Sequence, residues 1–322
     1  MKRLKVLISA LALGFMLPAA SVLAQSYPAR PVKIIVPYAV GGTGDILARL
    51  IAQEITRAAG QSVLVENRTG AGGLIGYGAA AKSAGDGYTL IAMDSTLTMY
   101  PGLHGDKLDW NVETDLLPIS MYARSAFALI TNPARQYSSA ADLIRAARQK
   151  SDSVTFGTPG TATVHHVFTS LLLETANVRM THVPYRGASE ALTAVLSNSV
   201  DWTFVALPTI TGQLNSDRMR ILAVTSDTRS GLLPQVPTLR ESGIAMSVAN
   251  WFGLGAPKGA PPEVLDWLAR RAIDAVRSPD VSAKIRSMGA EPVGNTPAEF
   301  AAAVKADLKL WTQVIRDAGI RQ

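Results

Sequence analysis

Two α/β lobes are the architecture this sequence predicts, each a mostly parallel sheet flanked by helices. Three observations carry that reading. Short β-rich runs alternate with segments of helical periodicity, first up to about residue 123 and again from 124 to 225. Glycine-rich polar loops follow the strand runs, at the ends where open α/β sheets hold ligands. Loss of a 24-residue leader leaves 298 of the 322 residues, a length that suits two domains.

The leader comes first. Lys2, Arg3 and Lys5 precede an apolar run from Val6 to Leu23, and Val22-Leu23-Ala24 offers small residues for cleavage at Ala24/Gln25. Pro18 and the small-residue exit favour processing over an uncleaved anchor. No other stretch reaches the ~18 apolar residues of a membrane span. The leader carries three positive charges and no acid, so its loss lowers the formal charge from +6 to +3. No Lys/Arg block then remains to read as a nucleic-acid surface. The absence of cysteine excludes disulfides, a thiolate nucleophile and a Cys-held metal.

In the first half, Val32 to Val36 reads as a strand. Ile46, Leu47, Leu50, Ile51, Ile55 and Ala58 then recur at helical spacing up to Gly60. Val63 to Val65 and Tyr88 to Met93 are further strands, with a small-residue helix over Leu74 to Lys82 between them. The rhythm restarts with strands over Leu117 to Ala123 and Phe127 to Thr131. Ser138/Ser139 cap a helix through Lys150. Val154 to Phe156 and Met180 to Val183 are strands, each followed by a helix, one to about Ala176 and one to Leu196. Asp201 to Val205 and Ile221 to Thr225 are strands, and the Pro/Gly-rich region Ser226 to Gly259 returns the chain to the first lobe. Helices close the chain: Pro261 to Val276, Val281 to Met288 and Pro297 to about Asp317. The domains expected are therefore 1–24 as leader, 25–123 with 226–322 as one lobe, and 124–225 as the other, with a ligand cleft between the lobes.

The stretch VPYAVGGTGD, positions 36 to 45, is the first place to look for a ligand. A dinucleotide fingerprint would use Gly42 and Gly44, and Glu66 falls where a ribose-binding acid belongs. Leu47 stands at the third glycine position, however, and Asp45 would set a carboxylate against a pyrophosphate. A phosphate loop fails for want of Lys-Ser/Thr after the glycines. A nest of backbone N–H groups aimed at a small carboxylate suits the residues: glycines permit φ > 0, and the first helical N–H groups lack internal partners. A tight strand-to-helix turn without a ligand stays open beside it. Asp45 either caps the helix or touches ligand.

Longer segments carry a resemblance. YPARPVKIIVPYAVGGTGDILARLIAQEI and VLVENRTGAGGLIGYGAAAKSAGDGYTLIAMDS resemble the opening of the Bug receptors, TctC-like extracytoplasmic solute receptors of tripartite tricarboxylate transporters. The likeness continues through THVPYRGASEALTAVLSNSVDWTF, RILAVTSDTRSGLLPQVPTLRESGI, WFGLGAPKGAPPEV and MGAEPVGNTPAEFAAAVKADLKLWTQVI. It implies a type II-like, two-lobed Venus-flytrap binding protein of the periplasm. Such a protein is monomeric, holds no cofactor or metal, has no enzymatic activity and works with membrane permease subunits.

The ligands it implies are small carboxylates: dicarboxylates, tricarboxylates, amino acids or aromatic acids. Two loops would reach the ligand, one with Tyr38, Gly41, Gly42, Thr43, Gly44 and Asp45, the other with Thr158, Gly160, Thr161, Thr163 and His166. Ser95, Thr96, Tyr185 and Arg186 would complete the wall. Ala162 departs from the pattern, standing where a second glycine is common. Val205 replaces a common acid, which turns that side apolar and the expected ligand away from amines.

The remaining candidates have plainer readings. His165 and His166 lie about 100° apart on a helix and cannot both face one ligand. With no His-Glu-x-x-His pattern, a structural role is the default for the four histidines. Arg186 is either a clamp for a second carboxylate or a surface arginine. Tyr38 and Tyr185 either line the cleft or pack as core aromatics, and Trp251 is read as packing. No Gly-x-Ser-x-Gly elbow is present for serine hydrolysis. A ligand-sensing partner of a two-component sensor, and more remotely a secreted dinucleotide enzyme, are the alternatives to an uptake receptor.

Overall fold

The computed structural model describes residues 27–214 and 216–320. The leader and its cleavage point lie outside the described residues. The chain opens as a repeated strand-helix unit. It contains β1 (Val32–Val36), α1 (Thr43–Ala59), β2 (Val63–Asn67), α2 (Leu74–Ala81), β3 (Thr89–Asp94) and the short α3 (Tyr100–His104). The long β4 (Leu116–Ser125) then leads within two residues into β5 (Phe127–Thr131). A second run follows: α4 (Ala140–Gln149), β6 (Thr155–Thr158), α5 (Val164–Ala176), β7 (Thr181–Pro184), α6 (Ala188–Leu196), β8 (Trp202–Ala206), the single turn α7 (Leu207–Ile210) and β9 (Arg220–Val224). The chain ends with β10 (Asn250–Pro257), α8 (Pro262–Arg277), α9 (Pro279–Ser287), β11 (Ala290–Pro292) and α10 (Pro297–Asp317).

Local chemistry accounts for most boundaries. On α1, Leu47, Ala48, Ile51, Ala52 and Ile55 are buried, and Gly60 ends the helix in the left-handed conformation at φ 65°. Ser139 caps α4 by accepting the Asp142 N–H. Thr296 and Glu299 form a reciprocal capping box before α10, with Pro297 in its first turn.

The strands form two sheets, ordered β11-β4-β10-β3-β1-β2 and β7-β6-β8-β5-β9. The α/β class and two-sheet frame are as expected, but both sheets are mixed and not mostly parallel. Only β1–β2 and β1–β3 run parallel in the first, and only β6–β7 and β6–β8 in the second. The cause is the path of the chain. β4 carries it out of the first sheet and β10 carries it back, so the two lie antiparallel side by side.

β10 falls within the region expected to be an irregular return. Its glycines disguise it, yet packing demands them. A Cβ on Gly253 would stand 2.9 Å from the Ser120 carbonyl and closer still to the Phe300 ring. One on Gly255 would run into Met93. Glycine inside a strand here marks the close approach of α10 and a neighbouring strand.

Residues 226–249 form no helix or strand and pack with the second sheet. Leu239, Ile244, Met246 and Val248 join the cluster that holds Phe127, Phe156 and Trp202. α10 serves both sides. Phe300 and Val304 pack with Ile35, Tyr77 and Met93, whereas Trp311, Val314 and Ile315 pack with Phe127 and Phe168. Trp311 stacks on Phe168 at 5.0 Å.

Gly253→Ala tests this packing. The added methyl must displace Phe300 or the β4 backbone, an overpacking cost of about 1–3 kcal/mol. The thermal midpoint should fall by several degrees, and an unchanged midpoint would contradict the geometry.

Candidate functional site

β1 ends at Val36 with β2 and β3 on either side, so its carboxyl-end loop lies beside Asn67 and Asp94. The chain turns through Pro37-Tyr38, passes Gly41 at φ 85° and enters α1 through Gly42. Asp45, one turn into the helix and 1% exposed, points back into the loop. Its carboxylate accepts from Gly41 N at 2.9 Å, Asn67 Nδ2 at 2.8 Å and Arg49 Nε at 3.1 Å. Burial alone would raise its pKa, but the hydrogen bonds from Arg49, Gly41 and Asn67 prevail and hold it below the usual carboxylate range. Asn67 also donates to the Tyr38 carbonyl at 3.0 Å. Asp45 is thus turned inward as the keystone of the loop and has no free oxygen edge toward solvent. Above it, the N–H groups of Thr43, Gly44 and Asp45 have no acceptor among the described residues.

A second loop repeats the plan. β6 ends at Thr158, Gly160 takes φ 126°, Ala162 takes φ 60°, and Thr163 caps α5 by accepting the His166 N–H. Ala162 is 4% exposed and, unlike glycine, meets a cost of about 1–2 kcal/mol in the left-handed region. Its N–H donates to His166 Nδ1 at 3.2 Å, four residues on, as Gly41 does to Asp45. Thr163 Oγ1 donates to the Gly160 carbonyl at 2.9 Å. The N–H groups of Thr161, Thr163, Val164 and His165 have no acceptor among the described residues. Both loops therefore offer several unpaired N–H groups at a helix start, where the helix dipole favours an anion.

Parallel pairing of β6 with β7 sets Thr158 opposite Pro184 and brings Tyr185 alongside the second loop. Tyr185 N donates to the Thr158 carbonyl at 2.9 Å, and a Cβ on Gly157 would meet the Tyr185 ring at 3.2 Å. Arg186 is exposed; its N–H donates to Glu190 at 3.1 Å, again across four residues, and its guanidinium has no partner among the described residues. Tyr38 is half-buried and donates to Asp94 Oδ1 at 2.9 Å. Asp94 also accepts from Tyr77 Oη at 3.2 Å and from Thr96 N at 3.1 Å. Burial, only partly offset by those bonds, lifts its pKa to about 6.

Two expected wall residues lie elsewhere. Ser95 is fully buried, and its hydroxyl donates to Asn250 at the start of β10. Val205 is 2% exposed and packs with Ala126, Ala128 and Leu207, because β8 is an interior strand covered on both faces. The reading of Val205 as an apolar pocket side is corrected accordingly, and the tilt away from amines that rested on it goes too. Trp251 packs on Phe300 at 5.1 Å and donates to Asp307 at 2.6 Å.

Sequence reasoning missed Asn67 and Arg49, which shape the first loop, and Val40, which stands 71% exposed at its tip, while His182, read as structural, braces the second loop through Thr158. Arg49 did carry a local signal, its four-residue spacing from Asp45 on α1, whereas Asn67 reaches the loop only through the β1–β2 pairing. A groove of about 690 Å³ lies where the strands pass between sheets, bordered by Arg124, Trp251, Asp307 and Trp311 but by none of the loop residues. Among the described residues no three His, Asp or Glu side chains converge as a metal site requires, and no helix is long and apolar enough to cross a membrane.

Two loops with open helix-start N–H groups thus stand on one two-sheet α/β frame, the frame of periplasmic binding proteins that this chain resembles. Residues 47–320 match the model of the tripartite tricarboxylate transporter family receptor. Protein BugT of Bordetella pertussis is 34% identical over 305 residues, 94% of each chain. A protein of R. palustris solved with adipate is 33% identical at a TM-score of 0.79, covering 92% of this chain and 100% of that one. The periplasmic binding protein BugD is 30% identical at 0.76, covering 92% and 100%. MatC of Rhodopseudomonas palustris with bound malate is 27% identical at 0.75, covering 90% and 100%. The chain belongs to the tripartite tricarboxylate transporter receptor family, as its sequence segments imply.

The histidines supply a pH dependence. Burial lowers His165 and His166 to about 4, with His182 repelling His166 besides, and burial lowers His182 as well. All three are neutral in the fold, so the unfolded chain binds protons first as pH falls below about 6.5, and stability drops from there toward pH 4. Asp94 and Asp307 have the opposite sign: burial raises both carboxyls, Asp94 to about 6, and each adds stability as pH falls. Four lowered imidazoles, His104 included, outweigh two raised carboxyls, so the thermal midpoint should fall between pH 6.5 and 4, less steeply in His165→Gln. A midpoint that holds flat or rises over that range would refute this assignment.

Proposed function

We propose that this protein is a periplasmic receptor, released by cleavage at Ala24/Gln25, that captures a small aliphatic dicarboxylate and delivers it to a tripartite-type membrane permease. The observation that carries the proposal is the pair of loops, each with helix-start N–H groups left without a protein acceptor. In this reading the loops converge on one carboxylate, and residues 25–123 with 250–322 and residues 124–249 move as two lobes of a monomer, the expected boundary at 225/226 shifting because residues 226–249 pack with the second sheet. The packing of the segment after β3 supports convergence: Met99 and Leu103 share a cluster with Val167 and Phe168 of α5.

The energetics are sufficient. A hydrogen bond to a charged group contributes about 1.5–3 kcal/mol, so four give a gross ~6–12 kcal/mol. A micromolar complex needs ~8 kcal/mol net of ordering costs. Only a closed state satisfies both loops at once, so ligand shifts the population toward closure. Adipate and malate, held by two relatives, are both aliphatic dicarboxylates, and the free guanidinium of Arg186 suits a second carboxylate.

Thermal unfolding of the protein purified from the periplasm, against malate, adipate, monocarboxylates, amino acids, sugars and nicotinamide dinucleotides, tests the proposal. A ligand at 100 times its Kd stabilises by ~2.7 kcal/mol, a shift of several degrees. The shift should appear with dicarboxylates and vanish in Gly42→Val. Gly42 has ordinary φ −70°, and its Cβ would meet nothing closer than the Ala39 carbonyl at 3.5 Å, so the unliganded midpoint should hold. A response to dinucleotides alone, or to no carboxylate, would sink the reading.

A further inference from the structure

We propose that His166 is a positioning residue. Its neutral imidazole holds Ala162 in the left-handed conformation and so presents the N–H groups of the second loop to the ligand. This rests on the carboxylate reading of that loop. Three observations carry it. Ala162 adopts φ 60° although it is not glycine, so something must hold it there. Its N–H meets His166 Nδ1 at 3.2 Å, which leaves Nδ1 as the acceptor and puts the ring proton on Nε2. The imidazole cannot readily turn away, because it stacks on His182 at 4.2 Å, and His182 stacks in turn on Phe156 at 4.9 Å. His182 Nε2 meets Thr158 Oγ1 at 2.7 Å, and that hydroxyl meets the Gly160 carbonyl at 3.0 Å. The support of the loop thus runs in a closed ring from His166 through His182, Thr158, Gly160, Thr163 and Ala162.

The first loop explains why an imidazole is used. There the same four-residue bond ends on Asp45, whose charge is countered by Arg49 and divided with Asn67. No cation is bonded to the acceptor in the second loop among the described residues. A carboxylate at 166 would set an uncompensated negative charge against the anion seat. Histidine in its neutral form accepts the Ala162 N–H without opposing the ligand.

The test compares His166→Asn, His166→Gln and His166→Phe, with Ala162→Gly added to each, using malate and adipate titrations by calorimetry. Asn places an oxygen near the Nδ1 position, whereas Gln places its polar end near Nε2 and Phe offers no acceptor. His166→Asn should stay within about threefold of the parent Kd, and His166→Gln and His166→Phe should weaken binding about tenfold or more. Ala162→Gly should restore most of the affinity in both, since glycine takes φ > 0 without help. Hydrogen exchange at the Ala162 amide gives a reading without ligand: slow in the parent and His166→Asn, fast in His166→Phe. Unliganded thermal midpoints identify any variant that fails to fold, in which case the Asn/Gln pair decides. Equal affinities across the set, or no rescue by Ala162→Gly, would overturn the role of His166. If the parent binds neither acid, the carboxylate reading fails, and the exchange pattern alone then confirms or overturns the loop-holding role.

Discussion

The proposed site, built from backbone N–H groups, has to leave them without protein acceptors and still hold them in place. These two demands oppose one another, because a loop is ordinarily fixed by pairing its own polar groups. Here the contradiction is resolved by side chains from the first turn of the following helix. Asp45, His166 and Glu190 each reach back four residues to take one N–H, from Gly41, Ala162 and Arg186. One amide is used as an anchor and its neighbours stay open. The anchor belongs to the helix whose dipole the open groups share, so loop and field are aligned by one connection.

The rest of the fold follows from keeping such loops at strand ends. Parallel pairing of β1 with β2 and β3, and of β6 with β7, gathers carboxyl-end loops side by side. The antiparallel pair β4–β10 lets the chain leave one sheet and return. α10 then ties the two cores together along one helix, through Phe300 at one end and Trp311 toward the other.

Electrostatics differ between the loops in an instructive way. The first tolerates a buried carboxylate because Arg49 is bonded to it, and the second uses a neutral ring. Asp94 lies among Tyr38 and Tyr77, whose hydroxyls donate to it and temper a charge that burial disfavours. Asp45 and Asp94 thus meet burial with different local partners, and open N–H groups remain at the starts of α1 and α5.

Much was legible in the sequence: the strand-glycine-helix units, the cap at Ser139, the helix start at Pro297, the stop at Gly60, and the family likeness that names the second loop. Those signals act within a turn or along one periodic face, so a single chain displays them. What the sequence withheld depends on partners far along it. Asn67 meets Asp45 across 22 residues, His182 meets Thr158 across 24, and Ser95 meets Asn250 across 155. β10 was hidden because its glycines answer to Phe300 and Met93, and the inward turn of Val205 was hidden because strand neighbours decide which faces are covered. The sequence by itself determined where an anion loop could form. Sheet order determined which side chains would hold it open, since only tertiary packing sets distant groups within hydrogen-bond reach.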